Sequence, residues 1–182
     1  MIEVRWHGRG GQGAVTAAEI IAHAAINEGK YAQAFPSFGP ERRGAPVVAF
    51  NRFDDRPIWV RSEVYEPNVV VVLDSNLLKN VNVVEGLKPN GILVLNTIKK
   101  PEESKKPFLN VSLVTVNAKK IALDVLGIPI VNTAMAGAFV KATNIVKLDS
   151  LYEAVKKRFR GKAGERNVKM IKQAYEEAVV LG

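Results

Sequence analysis

Six residues near the start of the chain have the types and spacing that suit the binding of an anion. They follow a short alternating run and precede a long helix-forming run, the setting in which glycines let the backbone approach a phosphate. A helix that begins there supplies free amides and a partial positive charge. We therefore predict an anion- or cofactor-binding turn, although a tight strand-to-helix turn also uses glycine. The candidate residues are Gly8, Arg9, Gly10, Gly11, Gln12 and Gly13.

A dinucleotide-binding site needs one further residue that this sequence does not provide. The acidic side chain that holds the ribose hydroxyl is expected about 20 residues after the glycines, at the end of the second strand. Phe35, Pro36 and Ser37 occupy that position, and Glu41 comes only later. The pattern therefore disfavours an NAD-dependent enzyme.

A second group of candidates lies in the loop 36–46, which contains three prolines and two glycines. Arg42 and Arg43 each carry a planar guanidinium that suits phosphate or carboxylate. In a parallel sheet the loops after the first two strands lie at the same carboxyl edge, so we expect these arginines beside the glycine turn. Two alternatives stay open, a solvated turn in which Glu41 pairs with an arginine, and a contact with another subunit.

The composition excludes several kinds of chemistry. The 182 residues include no cysteine and two histidines, His7 and His23, which rules out disulfides, thiol nucleophiles and clusters held by cysteine in this chain. We predict no metal site and no catalytic acid, base or nucleophile. The formal net charge of +8 favours an anionic ligand, a nucleic acid or an acidic protein surface.

The strand pattern predicts a mainly parallel sheet with an antiparallel addition. The run 1–6 alternates, and 31–35 is expected to be a second strand. The runs 46–53 and 57–61 predict a β-hairpin. The continuous apolar runs 69–74 and 91–96, and the shorter run 112–116, are typical of buried parallel strands.

Helices are predicted between and after these strands. The apolar stripes and stop signals place them at 14–27, at 117–126, from about 132, at 149–159 and at 165–179. Asn132 is expected to cap the helix that follows it. In the last helix we expect the buried stripe to consist of Val168, Ile171, Tyr175 and Ala178.

The order of these elements predicts an α/β fold in a single domain over residues 1–182, with a Rossmann-like sheet flanked by helices and the hairpin added to it. No run approaches the roughly 20 apolar residues that a membrane helix needs. We therefore expect a cytoplasmic protein that does not contact a membrane.

Several segments together resemble one family. They are RWHGRGGQGA (5–14), GKYAQAFP (29–36), FGPERRGAP (38–46) and FNR (50–52). The sequence is similar to the gamma subunits of 2-oxoacid:ferredoxin oxidoreductases, and most similar to those that act with pyruvate, some of which are shared with a 2-ketoisovalerate enzyme. The similarity extends more loosely to Asp74, Asn132 and the terminal helices.

The resemblance implies a subunit that is not catalytic alone. It implies a complex with alpha, beta and delta subunits, in which the partners hold thiamine diphosphate and the iron–sulfur clusters and ferredoxin accepts the electrons. The complex converts a 2-oxoacid to acyl-CoA and CO2, and the gamma chain closes over coenzyme A. The cofactor-binding candidates are then Gly8, Arg9, Gly10, Gly11, Gln12, Gly13, Arg42 and Arg43.

The residues also leave another class of function open, a stand-alone α/β module that binds a nucleotide or a nucleic acid through its basic surface. The basic run 156–162 is more simply a solvated helix end, and no nucleic-acid recognition motif accompanies it. We therefore expect no nucleic-acid partner.

Overall fold

The strands of the chain combine into one sheet. A computed structural model describes residues 1–37 and 44–182, and within these residues seven strands pair in the order β2-β3-β1-β4-β5-β6-β7. The strands are β1 (Ile2–Arg9), β2 (Tyr31–Pro36), β3 (Pro46–Asp54), β4 (Val69–Val72), β5 (Ile92–Asn96), β6 (Ser112–Val116) and β7 (Val179–Leu181).

The middle of this sheet is parallel, as the apolar runs predicted. β1, β4, β5 and β6 are parallel neighbours, and one row across them joins Trp6, Val71, Val94 and Val114. All four side chains are buried. β-Branched side chains fit such a doubly covered pleated surface, which explains why these strands read as uninterrupted apolar runs.

The antiparallel addition exists, but the predicted hairpin between 46–53 and 57–61 is wrong. β3 pairs with β1 on one side and β2 on the other, and residues 57–61 form no strand. With both of its edges occupied, β3 has no backbone groups left for a third strand. The antiparallel pair is therefore β2 and β3, joined by the loop whose residues 38–43 lie outside the described part.

The described chain also forms six α-helices. They are α1 (Ala14–Asn27), α2 (Pro101–Lys105), α3 (Ala118–Leu126), α4 (Asn132–Thr143), α5 (Leu148–Arg158) and α6 (Lys162–Glu177), with 3-10 turns at Ser75–Lys79 and Lys106–Phe108. The sequence analysis did not predict α2 or β7. The α/β class with helices against a largely parallel sheet is confirmed.

The two faces of the sheet are covered differently. The main core packs one face against α1, α3, α4, α5 and α6, and the Trp6 ring lies 5.2 Å from the ring of Phe139. On the other face, a smaller cluster around Val72 and Leu95 is covered by irregular chain that contributes Val83. Regular helices thus stabilise one face, whereas loops and short turns cover the other.

The buried stripe of α6 differs from the expected one. Ile171 is buried as predicted, and so is Ala178, which follows the helix. Val168 and Tyr175 are only half-buried, and the buried positions of α6 are Gly164, Asn167, Met170, Ile171 and Ala174. The reason is a close crossing with α4, because a Cβ atom at Gly137 would lie 2.4 Å from the carbonyl oxygen of Ile171. This backbone contact sets the rotation of α6.

We predict that Gly137→Ala destabilises the protein. Helix propensity alone would make this change stabilising by about 1 kcal/mol. The added methyl group would meet a backbone oxygen that cannot rotate away, so we expect a loss of about 1–3 kcal/mol in the free energy of unfolding. Urea unfolding of both proteins measures the difference, and a gain in stability for the variant would contradict the close crossing.

Candidate functional site

The glycine turn lies at the carboxyl end of β1 and leads directly into α1. Gln12 N–H donates to the carbonyl of Arg9 at 3.0 Å, which closes the turn. Gly10 donates to the carbonyl of Ala45 at 2.9 Å and accepts from the amide of Gly44 at 3.3 Å. The turn is therefore joined to the end of the loop that precedes β3, as the sheet-edge argument predicted for this loop.

Two glycines of the turn adopt backbone conformations that other residues rarely take. Gly11 has φ +91° and Gly13 has φ +82°. A Cβ atom at Gly13 would also lie 2.7 Å from Nδ2 of Asn132, the first residue of α4. At Gly11, in contrast, no atom of the described residues lies within 4 Å of the Cβ position. Gly13 is thus required by packing, whereas Gly11 borders space that the described residues leave open.

A cleft of about 910 Å³ opens beside the turn. It lies at the carboxyl ends of β4 and β5 and is bounded on one side by the connection from α3 to α4. Its polar and basic lining includes Asn76, Thr97, Lys79, Lys99 and Lys119, and Gly10, Gly11 and Gln12 form one wall. A smaller cavity of about 280 Å³ lies between the turn and the first residues of α1.

The Asp74 carboxylate, which follows β4, connects the turn to the neighbouring strand. Asp74 Oδ2 accepts from Arg9 Nε at 2.9 Å and from Gln12 Nε2 at 3.3 Å. Gln12 Oε1 accepts in turn from the Arg9 amide at 2.7 Å. The guanidinium of Arg9 is therefore held against Asp74, and its Nη1 donates to the Gly44 carbonyl at 3.1 Å.

These contacts also decide the charge of Asp74. Burial would raise the pKa of the Asp74 carboxyl, but hydrogen bonds from the Asn76 amide, Arg9 and Gln12, with the Arg9 charge, bring that pKa below its ordinary value. Asp74 is therefore ionised at neutral pH, and it balances the charge of Arg9. Sequence reasoning assigned Asp74 no role, although a polar residue directly after an apolar strand was a usable signal.

Two helices begin next to each other at this edge. The first turn of α1 contains no acidic residue, and no side chain of the described residues caps it. The prediction that Asn132 caps α4 is wrong, because Val131 occupies the N-cap position and Asn132 is the first helical residue. Asn132 Oδ1 accepts from the amide of the next residue, Thr133, at 2.8 Å. The Asn132 Nδ2 group lies against Gly13. Amide donors and two helix dipoles thus converge on the glycine turn, an arrangement that favours anions.

Arg42, Arg43 and Glu41 lie outside the described residues. Gly44 and Ala45, which follow them, are bonded to Gly10. Gly8 is buried in β1, where its Cβ position lies 3.2 Å from the Ala14 side chain, so this glycine serves the packing of α1. The six residues of the turn are thus brought together.

A buried histidine precedes the turn. His7 is 6% exposed, and its Nε2 accepts from Arg5 Nε at 3.1 Å. Burial and, to a smaller extent, the positive charge of Arg5 lower the pKa of the His7 imidazole from 6.5 to about 4. His7 is therefore neutral at physiological pH.

Neither a metal cluster nor a membrane helix is found in the residues described. Residues 1–37 and 44–182 bring no three His, Cys, Asp or Glu side chains together in a way that could hold a metal ion. None of the helices in these ranges is long and apolar enough to cross a membrane.

Fold and site together define an α/β protein with a glycine-rich turn between a strand and a helix at the carboxyl edge of a parallel sheet. A family model for pyruvate ferredoxin/flavodoxin oxidoreductases matches residues 3–177. The chain belongs to this family, as the resemblance of its motifs implied.

Relatives match over nearly the full length. The common subunit gamma of the pyruvate/ketoisovalerate oxidoreductases of Thermococcus kodakarensis is 56% identical, covering 99% of this chain and 98% of the relative. The pyruvate synthase subunit PorC of Methanocaldococcus jannaschii is 55% identical and covers 97% of both chains.

Solved structures agree in fold. The crystal structure of pyruvate oxidoreductase subunit PORC from Thermotoga maritima has a TM-score of 0.88 at 40% identity, covering 100% of this chain and 98% of that one. The 2-oxoglutarate:ferredoxin oxidoreductase of Magnetococcus marinus, solved with 2-oxoglutarate, coenzyme A and succinyl-CoA bound, has a TM-score of 0.78 at 17% identity. It shares the fold over 96% of this chain, which corresponds to 30% of that longer chain.

We predict that acid destabilises the protein partly through His7. The unfolded imidazole takes up a proton below about pH 6.5, whereas the folded one stays neutral down to about pH 4. Protonation therefore favours the unfolded state in this window. The free energy of unfolding that is lost through His7 grows as the pH falls, and it reaches about 3 kcal/mol below pH 4.

His7→Gln keeps a hydrogen-bond acceptor but cannot titrate. Urea unfolding of both proteins between pH 7 and pH 4 isolates the histidine, because the carboxylates titrate in both. The stability of wild type should fall more steeply than that of the variant. If the free energy of unfolding fell equally with pH in wild type and variant, His7 would not be responsible for the acid destabilisation.

Proposed function

We propose that this chain is the gamma subunit of a 2-oxoacid:ferredoxin oxidoreductase complex. The complex oxidatively decarboxylates pyruvate or a branched 2-oxoacid and forms acyl-CoA, CO2 and reduced ferredoxin. Family membership and relatives named as gamma or PorC subunits, which match along almost the whole chain, support this proposal. Alpha, beta and delta subunits supply the thiamine diphosphate and iron–sulfur chemistry, and this chain is not catalytic alone.

Within the complex, we propose that this chain closes over coenzyme A. The observation that carries this proposal concerns Gly11, at the wall of the 910 Å³ cleft. Among residues 1–37 and 44–182, none fills the space at its Cβ position and no side chain caps the start of α1 beside it. A phosphate can approach backbone amides closely only where no side chain intervenes. Coenzyme A, with its phosphates and long arm, matches a large cleft whose lining is mainly apolar and includes three lysines.

Each part of the site then has a defined task. The backbone of Gly10 and Gly11 allows the close approach, and Gly8 and Gly13 let α1 and Asn132 pack against the turn. Gln12 and Arg9 hold the turn through Asp74. The charge that faces the phosphates comes from Arg42 and Arg43 and from lysines of the cleft such as Lys99. No residue of this chain acts as acid, base or nucleophile in this proposal.

Three further features of the proposal concern the chain as a whole. Residues 1–182 act as one domain within the complex. The complex lies in the cytoplasm, and nucleic acid is not a partner. These features follow from the sequence-based expectations and from the assignment to a metabolic oxidoreductase.

We predict that Gly11→Ala weakens the use of coenzyme A by the assembled complex. The added methyl group would stand between the turn and the ligand, and the KM for coenzyme A should rise about tenfold, the equivalent of one hydrogen bond to a charged group. The KM for the 2-oxoacid should not change, because that substrate binds in the partner subunits. Steady-state kinetics of the complex co-expressed with its partners measures both constants.

Gly29→Ala is the matched control for this experiment. Gly29 also has a positive φ, +83°, and no atom of the described residues lies within 4 Å of its Cβ position, but it follows the far end of α1. Both variants should lose about 1–2 kcal/mol of stability from the left-handed backbone. An equal rise in the KM for coenzyme A in the two variants would refute a ligand contact at Gly11.

We also predict that the double variant Arg42→Ala, Arg43→Ala raises the KM for coenzyme A in the assembled complex by tenfold or more, because two positive charges are removed. Lys156→Ala, Lys157→Ala removes the same charge from the end of α5 and serves as the control. An unchanged KM for coenzyme A in the arginine variant would favour an interface role for this loop. So would a lower yield of complex in which the complex that does form keeps the wild-type KM.

A further inference from the structure

One irregular segment exposes several large apolar side chains. Between Asp54 and Asn68 the chain forms neither strand nor helix. Trp59 is 79% exposed, Tyr65 is 69% exposed and Val60 is 39% exposed. Scattered apolar side chains are normal on a protein surface, whereas a larger exposed apolar area marks an interaction site. Here a tryptophan and a tyrosine of one short segment are both mostly exposed.

Tyr31 extends this surface onto the sheet. It is 48% exposed and lies on β2, the strand at which the described sheet ends. Tyr31 and Gln33 are on the same face of β2, and Gln33 Nε2 donates to the carbonyl of Ile58 at 3.1 Å, next to Trp59. We call Tyr31, Trp59, Val60 and Tyr65 the aromatic surface. None of these four residues lines the cleft at the glycine turn.

The segment is held firmly although it is irregular. Arg52 of β3 is 1% exposed, and its Nη2 donates to the carbonyl oxygens of Ser62 at 2.7 Å and Glu63 at 3.2 Å. The Nε of the same guanidinium donates to Glu3 Oε1 at 2.9 Å. A buried guanidinium thus connects the sheet to two consecutive carbonyl groups of the segment.

Further contacts fix the region of Tyr65. Val64 is buried, and Ser37 Oγ donates to Glu63 Oε1 at 2.6 Å. A Cβ atom at Gly86 would lie 2.2 Å from the carbonyl oxygen of Tyr65, so the two backbones are in close contact. A surface that is already ordered loses less entropy when a partner binds, which makes exposed aromatics on it effective anchors.

We propose that the aromatic surface is the docking site for another protein subunit of the oxidoreductase complex. The partner presents an apolar socket bordered by carboxylates. Arg56 and Arg61, both exposed, stand three and two residues from Trp59, and tryptophan, tyrosine and arginine dominate the energetic centres of protein interfaces. The inference rests on the proposed function in so far as it requires a complex.

The charges of the segment favour a protein over a polyanion. Asp55 and Glu66 are exposed on the same segment as the two arginines. These carboxylates would repel the phosphates of a nucleic acid or an anionic membrane, whereas a protein surface can pair with charges of both signs. A mixed charge rim around exposed aromatics therefore fits a protein partner.

The test compares Trp59→Ala and Tyr65→Ala with wild type in assembly with co-expressed partner subunits. Sedimentation velocity over a concentration series gives the apparent Kd of this chain for the rest of the complex. Each variant should raise that Kd at least tenfold. Leu109→Ala, which shortens a side chain that is 75% exposed and lies outside the aromatic surface, should leave it within twofold.

Correct folding can be checked in the same samples. The chain has two tryptophans, so the fluorescence of Trp59→Ala comes from Trp6 alone, which is fully buried against Phe139. A blue-shifted spectrum shows that the core is intact. Hydroxyl-radical footprinting of wild type adds an independent readout, because oxidation of Trp59 should fall at least fivefold on assembly.

Three results would overturn the proposal. They are unchanged assembly of both variants, an equal loss in Leu109→Ala, and equal oxidation of Trp59 in the free chain and in the complex. If Trp59→Ala instead abolished self-association of the isolated chain, a second copy would be the occupant. A wild-type chain that assembles with no partner subunit would refute the proposed function itself, an outcome distinct from these.

Discussion

The geometry of the candidate site depends on the carboxylate of Asp74. It accepts hydrogen bonds from Arg9 on β1, from Gln12 in the glycine turn and from the amide of Asn76. Because β1 and β4 are parallel neighbours, their carboxyl ends lie side by side, and one short side chain reaches both. The pairing offsets the burial of the charge and holds the turn in one conformation before a ligand arrives, which lowers the entropy lost on binding.

This pairing changes how an anion can be recognised. The sequence pattern places Arg9 in the middle of the turn, where its charge would face a phosphate, but in the structure Asp74 balances that charge. In the proposed site, recognition would then depend on backbone amides at the starts of α1 and α4 and on charges supplied from elsewhere along the edge. Backbone donors require close approach, and this requirement explains glycine at position 11 better than conformational freedom alone.

The sequence predicted those elements whose signals are local. The bounds of α1 and β6 agree with their apolar patterns, and the glycine turn lies where a strand meets a helix. The hairpin failed because β3 pairs with β1, whose partner residues lie 37 to 51 positions earlier in the chain, and no local pattern encodes that choice. The stripe of α6 failed because a glycine on another helix sets its rotation. The part played by Asp74 depends on which strands are neighbours, so only the folded chain shows it.

Three arginines, Arg5, Arg9 and Arg52, order irregular chain segments. These segments lie on the face of the sheet that is covered by loops and not by the main helices. Each of them extends from β1 or β3 and donates to backbone carbonyls outside helices and strands. Arg5 donates to Val83 and Glu85, and Arg9 donates to Gly44. Arg52 donates to Ser62 and Glu63. Such carbonyls have no partner in regular secondary structure and need a donor when they are covered. Arginine offers several donors on a long side chain, so one residue satisfies two carbonyls and cross-links a loop to the sheet. The basic strands therefore serve the loops that frame the cleft and the aromatic surface, which accounts for part of the positive charge of the chain without any anionic ligand.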